Sequence, residues 1–231
     1  MQAQYENRVI SSFVIWLNST ICNKGVAWTN HQSLFYSMNS VFNTYSTYSA
    51  PFKQLIYDAG VTGATIMTGI YLNGTFVTTG QSGLFNIDYN EGRLYFSTGL
   101  ATTTVISGNY ALKDFNISLS VKSDEILLFE TKYEIRPRIT RTVTGLAADT
   151  LTYPVIFVKD NGGNNEPFAF GGMDQTNTRI RAFILSDSQF KLDAVNSILK
   201  DKVRDYIPLL DDADMPLNNY GGLRQPFNYS G

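Results

Sequence analysis

The chain has 231 residues, 43% of them hydrophobic and only 16% charged, with a formal net charge of −2 at neutral pH. That length suits one large domain or two small ones. The charge balance gives a nucleic-acid partner no electrostatic support, and the single cysteine, Cys22, excludes an intrachain disulfide framework.

Residues 5–22 place Val9, Ile10, Phe13, Val14, Leu17 and Ile21 at i, i+3, i+4 spacing, which predicts an amphipathic helix ending at Gly25. Its apolar run, Phe13–Leu17, is far too short to span a bilayer. The polar residues Tyr5 to Arg8 before it are not a signal-peptide layout. The expectation is a soluble protein made in a reducing cytoplasm.

From about residue 26 to 145 the texture changes. Short runs rich in Tyr, Phe, Thr, Ile and Val are separated by turn signals at Asn73-Gly74, Gly80 to Gly83, Asn90 to Gly92, Gly99 and Ser107 to Asn109. Such spacing predicts an antiparallel sandwich or barrel. Ile70 to Val77 reads as a hairpin on the Asn-Gly turn. Phe115, Ile117, Leu119 and Val121 alternate as one buried strand face, and Asp124-Glu125 could open a short helix over Ile126–Phe129.

After residue 150 the pattern changes again. Tyr153–Val158 predicts a strand, residues 159–167 a polar loop, and Arg179–Leu185 a second, more central strand. Ser186 to Ser188 offer capping oxygens for a helix over 189–206, which Pro208 stops. The fold class is therefore α+β: residues 1–30 and 146–210 form a discontinuous helix/strand framework, and 31–145 an inserted antiparallel β-sandwich or barrel-like domain. Residues 211–231 form an extended C-terminal arm.

Candidate chemistry is sparse. His31 is the sole histidine, which rules out a multi-histidine metal site. No G-x-S-x-G elbow accompanies it. Cys22, at the end of an apolar helix, reads as a small buried residue. Gly162-Gly163 and Gly171-Gly172 lack phosphate-loop spacing. Arg136, Arg138 and Arg141 form a small basic patch better suited to solvent or a subunit contact than to nucleic acid. Asp88, Asn90 and Glu91 carry the first fragment of a calcium loop, but their flanks alternate with period two, so a sheet corner with Gly92 at positive φ accounts for them. No catalytic residue, cofactor or metal is expected.

Two stretches carry a resemblance. YPVIFVKDNGGNNEPFAFGG and TRIRAFILSDSQFKLDAVNSILKD, taken with the N-terminal helix, resemble the tail-terminator and tail-completion proteins of tailed bacteriophages. The stretch FNIDYNEGRLYF with SGNYALKDFNISLS is similar in style to β-domains of phage virion neck proteins. The resemblance implies a leading helix, then strands and a helix packed on the sheet, in copies that assemble as a ring, six-fold or twelve-fold. It also implies a virion location after assembly in the host bacterial cytoplasm. The partners would be other neck, tail or portal-side proteins, with no specific nucleic acid and no membrane. The inserted β-domain departs from compact terminators, so terminator, head-completion protein and collar all remain open. A carbohydrate-binding β-module of a phage fibre or adhesin is the alternative, since Tyr, Trp and Asn serve sugars.

A weakly charged, Tyr-rich surface suits extended protein–protein contact. In the arm, Met215, Leu217, Tyr220, Leu223, Phe227 and Tyr229 are candidate interface residues. The expectation is an arm that is mobile in the isolated subunit and fixed on a neighbour in the ring.

Overall fold

A computed structural model describes residues 5–131, 135, 151–169, 173–202 and 204–230. The fold is α+β with a large, nearly closed antiparallel β-barrel. Helix α1 (Tyr5–Gly25) leads into β1 (Trp28–Phe42), β2 (Tyr45–Ser49), β3 (Gly69–Leu72), β4 (Thr75–Thr78), β5 (Leu84–Asp88), β6 (Arg93–Phe96) and β7 (Ile106–Lys113). Then come β8 (Asn116–Leu119), a π-helical turn (Ile126–Glu130), β9 (Val155–Ala169), β10 (Met173–Leu185) and α2 (Gln189–Lys200).

Seven strands form one sheet in the order β4-β3-β7-β1-β2-β6-β5, every neighbouring pair antiparallel. Its two edge strands, β4 and β5, are consecutive in the chain. In a flat sheet they would lie about 29 Å apart, six strand spacings. The connection through residues 79–83 reaches about 20 Å at full stretch. The sheet must therefore curl, and one core results: Ile70 and Val77 from one edge pack with Leu84, Ile87, Leu94 and Phe96 from the other. Asn73 and Gly74 both take positive φ, at 47° and 86°, as the expected hairpin between β3 and β4 requires.

The second sheet runs β10-β9-β8, with β8 parallel to β9 and β9 antiparallel to β10. Alternation sorts its residues onto two faces. Ile117, Ile156 and Val158 meet Trp16, Leu17 and Ile21 of α1 and Val195 of α2. Val155 and Phe157 meet Leu127 and Ile135 on the other side. Ala111, Ile56 and Val61 join the helix-side cluster and couple the framework to the barrel. Ser188 caps α2, its side chain accepting from the Lys191 N–H.

Several elements differ from expectation. Phe115 and Ile117 are buried, but Leu119 and Val121 are exposed because β8 ends at Leu119. The predicted short helix over 126–129 is the π-helical turn. The polar stretch 159–167, expected as a loop, continues β9. Asn165 stands opposite Thr176, whose Oγ1 donates to Asn165 Oδ1 at 2.8 Å, and Gly162 (φ 73°) absorbs the local irregularity. Helix α2 stops at Lys200 rather than 206. Asp205 is drawn to α1 instead, its Oδ2 accepting from Trp16 Nε1 at 3.3 Å and from Lys202 at 2.8 Å. The patch Arg136, Arg138 and Arg141 lies outside the described residues. Among the described residues, no helix is long and apolar enough to cross a membrane.

Candidate functional site

The C-terminal segment has no regular secondary structure, yet it is tied to its own chain along its length. We call residues 205–230 the strap. Arg8 pairs with Asp211 and donates to the Leu210 carbonyl, while the Leu210 N–H donates to Ser12 Oγ at 2.9 Å. Further on, the Tyr89 N–H donates to the Gly221 carbonyl at 3.0 Å and Asn86 Nδ2 to the Tyr220 carbonyl at 2.8 Å. The Ala59 N–H donates to the Phe227 carbonyl at 2.8 Å, and the Tyr229 N–H to Asp58 Oδ1 at 3.0 Å.

The six candidate interface residues are thus brought onto one path, from α1 across the barrel and back. Leu217, Leu223 and Phe227 pack on the barrel core, and Tyr229 joins the helix-side cluster. Met215 lines a groove of about 390 Å³ against Val14 and Ile15 of α1. Tyr220 sets its ring edge against Phe85, centroids 5.3 Å apart, and Phe85 stacks on Tyr45 at 4.1 Å. The arm expected to find its partner on a neighbour is placed against its own subunit.

The seat of the strap is the corner that carries Asp88. Asp88 Oδ1 accepts from the Asn90 and Glu91 N–H groups, both at 3.0 Å, and Oδ2 accepts from Tyr95 at 3.1 Å. Gly92 takes φ 64°, and a Cβ there would overlap the Phe52 carbonyl oxygen. These bonds close an Asx turn without a ligand. Burial pushes the Asp88 carboxyl above its usual range. Gly221 (φ 72°) and Gly222 lie so close over this corner that a Cβ would overlap Asp88 or Asn86 respectively. Sequence reasoning missed this docking. Its signal was the pair Gly221-Gly222 behind Asn218, whose Oδ1 accepts from the Tyr220 and Gly222 N–H groups.

A buried polar cluster underlies the far end of the strap. Lys113 and Asp58 are both buried, and Lys113 Nζ lies 5.1 Å from the Tyr57 ring centroid. Burial lowers the Lys113 ammonium to about 8 and raises the Cys22 thiol to about 11. A thiol held protonated in this way is a poor nucleophile. His31 lies on β1 between the rings of Phe52 and Tyr110, centroids 5.6 and 6.2 Å away. Among the described residues, no group of three or more His, Cys, Asp or Glu could hold a metal ion.

Between strap and barrel runs a groove of about 500 Å³, where Tyr57, Phe85 and Phe227 meet the amides of Asn86, Asn218 and Gln225. Elsewhere, large apolar side chains stand in solvent, among them Val121, Phe129, Phe190 and Tyr206. Comparison with family models, with curated proteins and with solved structures finds no match.

Proposed function

We propose that this protein is a non-enzymatic structural subunit of a tailed-phage virion, assembling as a homo-oligomeric ring in the neck, where the tail meets the head. The observation that carries the reading is the framework itself. A leading helix and a strand–strand–helix unit, far apart in the chain, pack as α1 and α2 on one face of the β8–β9–β10 sheet. That is the arrangement which the resemblance to tail-terminator and tail-completion proteins implies. The surface supports it: low charge and exposed aromatic residues suit contact with other proteins. Among the described residues, Cys22 is buried and His31 packs near the rings of Phe52 and Tyr110. Its partners are further copies of itself and neighbouring neck, tail or portal-side proteins. Electron microscopy of the purified full chain tests this reading. Rings of six or twelve subunits are expected, and a field of single compact particles at every concentration would defeat it.

A second reading is favoured by the groove under the strap, where aromatic faces and amides without a lining charge match a neutral saccharide. Titration with neutral oligosaccharides, followed by the fluorescence of the groove tyrosines, separates the two. Saturable binding by a monomer supports a carbohydrate-binding module.

A further inference from the structure

The inner stripe of α1 is interrupted by polar and small residues. Asn18 and Cys22, at i and i+4, share a face of the helix. They line one cavity of about 10 Å³ together with Asp58 from the connection between β2 and β3, Lys113 at the end of β7 and Phe227 of the strap. About 10–15 Å³ is the least space that admits a single water molecule. The cavity has room for one group of that size.

Two oxygens among the lining residues are left without a donor. Asp58 is 7% exposed, and its Oδ1 accepts from the Gly60 N–H at 2.8 Å and from the Tyr229 N–H at 3.0 Å. Its Oδ2 is buried, and among the described residues no group donates to it. Asn18 Nδ2 donates to the Val14 carbonyl at 3.0 Å. That bond sets the orientation of the amide, since the flipped form would bring two oxygens together. Asn18 Oδ1 is then the second buried acceptor with no described donor. Buried polar atoms are costly unless they are hydrogen-bonded, and an apolar cavity stays dry whereas a polar one of sufficient size holds water.

Charge and valence choose the occupant. Water has two hydrogens for two acceptors and a lone pair for one donor. Lys113 is 3% exposed, and its Nζ lies 5.1 Å from the ring centroid of Tyr57, which lines the same cavity. An ammonium has three protons to give, so one is open to water whatever else Lys113 binds. A metal ion would face that ammonium and find too few oxygens, since calcium takes about six to eight.

We propose that this cavity is the binding site of one internal water molecule, which donates to Asp58 Oδ2 and Asn18 Oδ1 and accepts from Lys113 Nζ. The water joins three parts of the subunit: α1 through Asn18, the barrel through Lys113, and the strap through Asp58, whose other oxygen holds the Tyr229 N–H. It is a joint within one copy and is independent of the ring reading.

A high-resolution crystal structure of the full chain tests the proposal. One peak is expected at about 2.7–3.0 Å from both Asp58 Oδ2 and Asn18 Oδ1. An empty cavity overturns the site. A peak with several contacts of about 2.0–2.6 Å marks a metal ion and overturns the choice of water. In solution, oxygen-17 relaxation dispersion counts long-lived internal waters. Asn18→Leu, close in volume, should lower that count by one, and an unchanged count overturns Asn18 as a partner of the water. Should this variant fail to fold, the density in the unsubstituted chain decides.

Discussion

The strap and the β9–β10 ribbon are opposites. The strap has no regular secondary structure, with Pro208, Pro216, Pro226, Gly221 and Gly222 breaking any periodicity, yet its apolar residues lie against two cores. The ribbon is an antiparallel ladder, yet residues 160–166, 175 and 176 of its outer half are exposed. Backbone regularity and tertiary anchoring are therefore separate properties here. What fixes a segment is the apolar area it buries and the polar groups it satisfies. The strap has both, whereas residues 160–166, 175 and 176 of the ribbon are exposed, with side-chain bonds confined to the ribbon itself.

The contrast predicts very different costs for similar deletions. Removing residues 211–231 exposes the seats of Leu217, Leu223 and Phe227. Each fully buried large side chain is worth about 1.5–3 kcal/mol, so the barrel should lose about 5 kcal/mol in urea unfolding. An unchanged midpoint would show that the strap is not held by its own barrel. Shortening the ribbon by a similar number of residues should change stability by less than about 0.5 kcal/mol, the usual range for surface changes.

Smaller changes sharpen the same comparison. Gly221→Val with Gly222→Val should lift the middle of the strap from Asp88 and Asn86, costing about 3 kcal/mol and speeding tryptic cleavage after Arg224. Replacing the exposed Asn161 and Asn164 of the ribbon by Val should leave the melting temperature within about 2 °C. At the corner, Gly92→Ala should cost about 2 kcal/mol through overlap with the Phe52 carbonyl oxygen and the positive φ.

A further effect concerns pH at the strap's buried anchor. Burial lowers Lys113 from 10.5 to about 8, so between these values the unfolded chain holds a proton that the folded chain has released. Stability therefore rises as pH climbs from 8. Burial raises Cys22 from 9.0 to about 11, so above pH 9 the unfolded thiol ionises first and stability falls through that window. The urea midpoint should thus rise from about pH 8 to 9 and then level off. Ionising tyrosines of the unfolded chain should lower it beyond about pH 10. Lys113→Met should abolish the rise, and a rise of the same size in that variant would place its source elsewhere.

What was legible in the sequence follows the same division. Helical spacing from Val9 to Ile21 and the Asn-Gly turn between Ile70 and Val77 mark a helix and a hairpin, and both elements form. The turn residues Asn73-Gly74 and Gly92 mark positions where backbone geometry limits the residue type. The polar run 159–167 was misread as a loop because its ladder is held by backbone pairing and amide side chains, with no buried face to leave a pattern. Residues 201–206 keep a helix-like spacing, but the contact between Asp205 and Trp16 of α1 takes the chain elsewhere. The strap's docking was illegible for a similar reason. Asp58, Asn86 and Tyr89 lie more than a hundred residues from their partners in the strap, and long-range polar contacts leave no local period.

The central claim, a structural subunit built to form a ring, is tested most directly by the native mass of the purified full-length chain. A discrete species of six or twelve subunit masses is the expected result. A monomer at all concentrations, unchanged by salt, would contradict it.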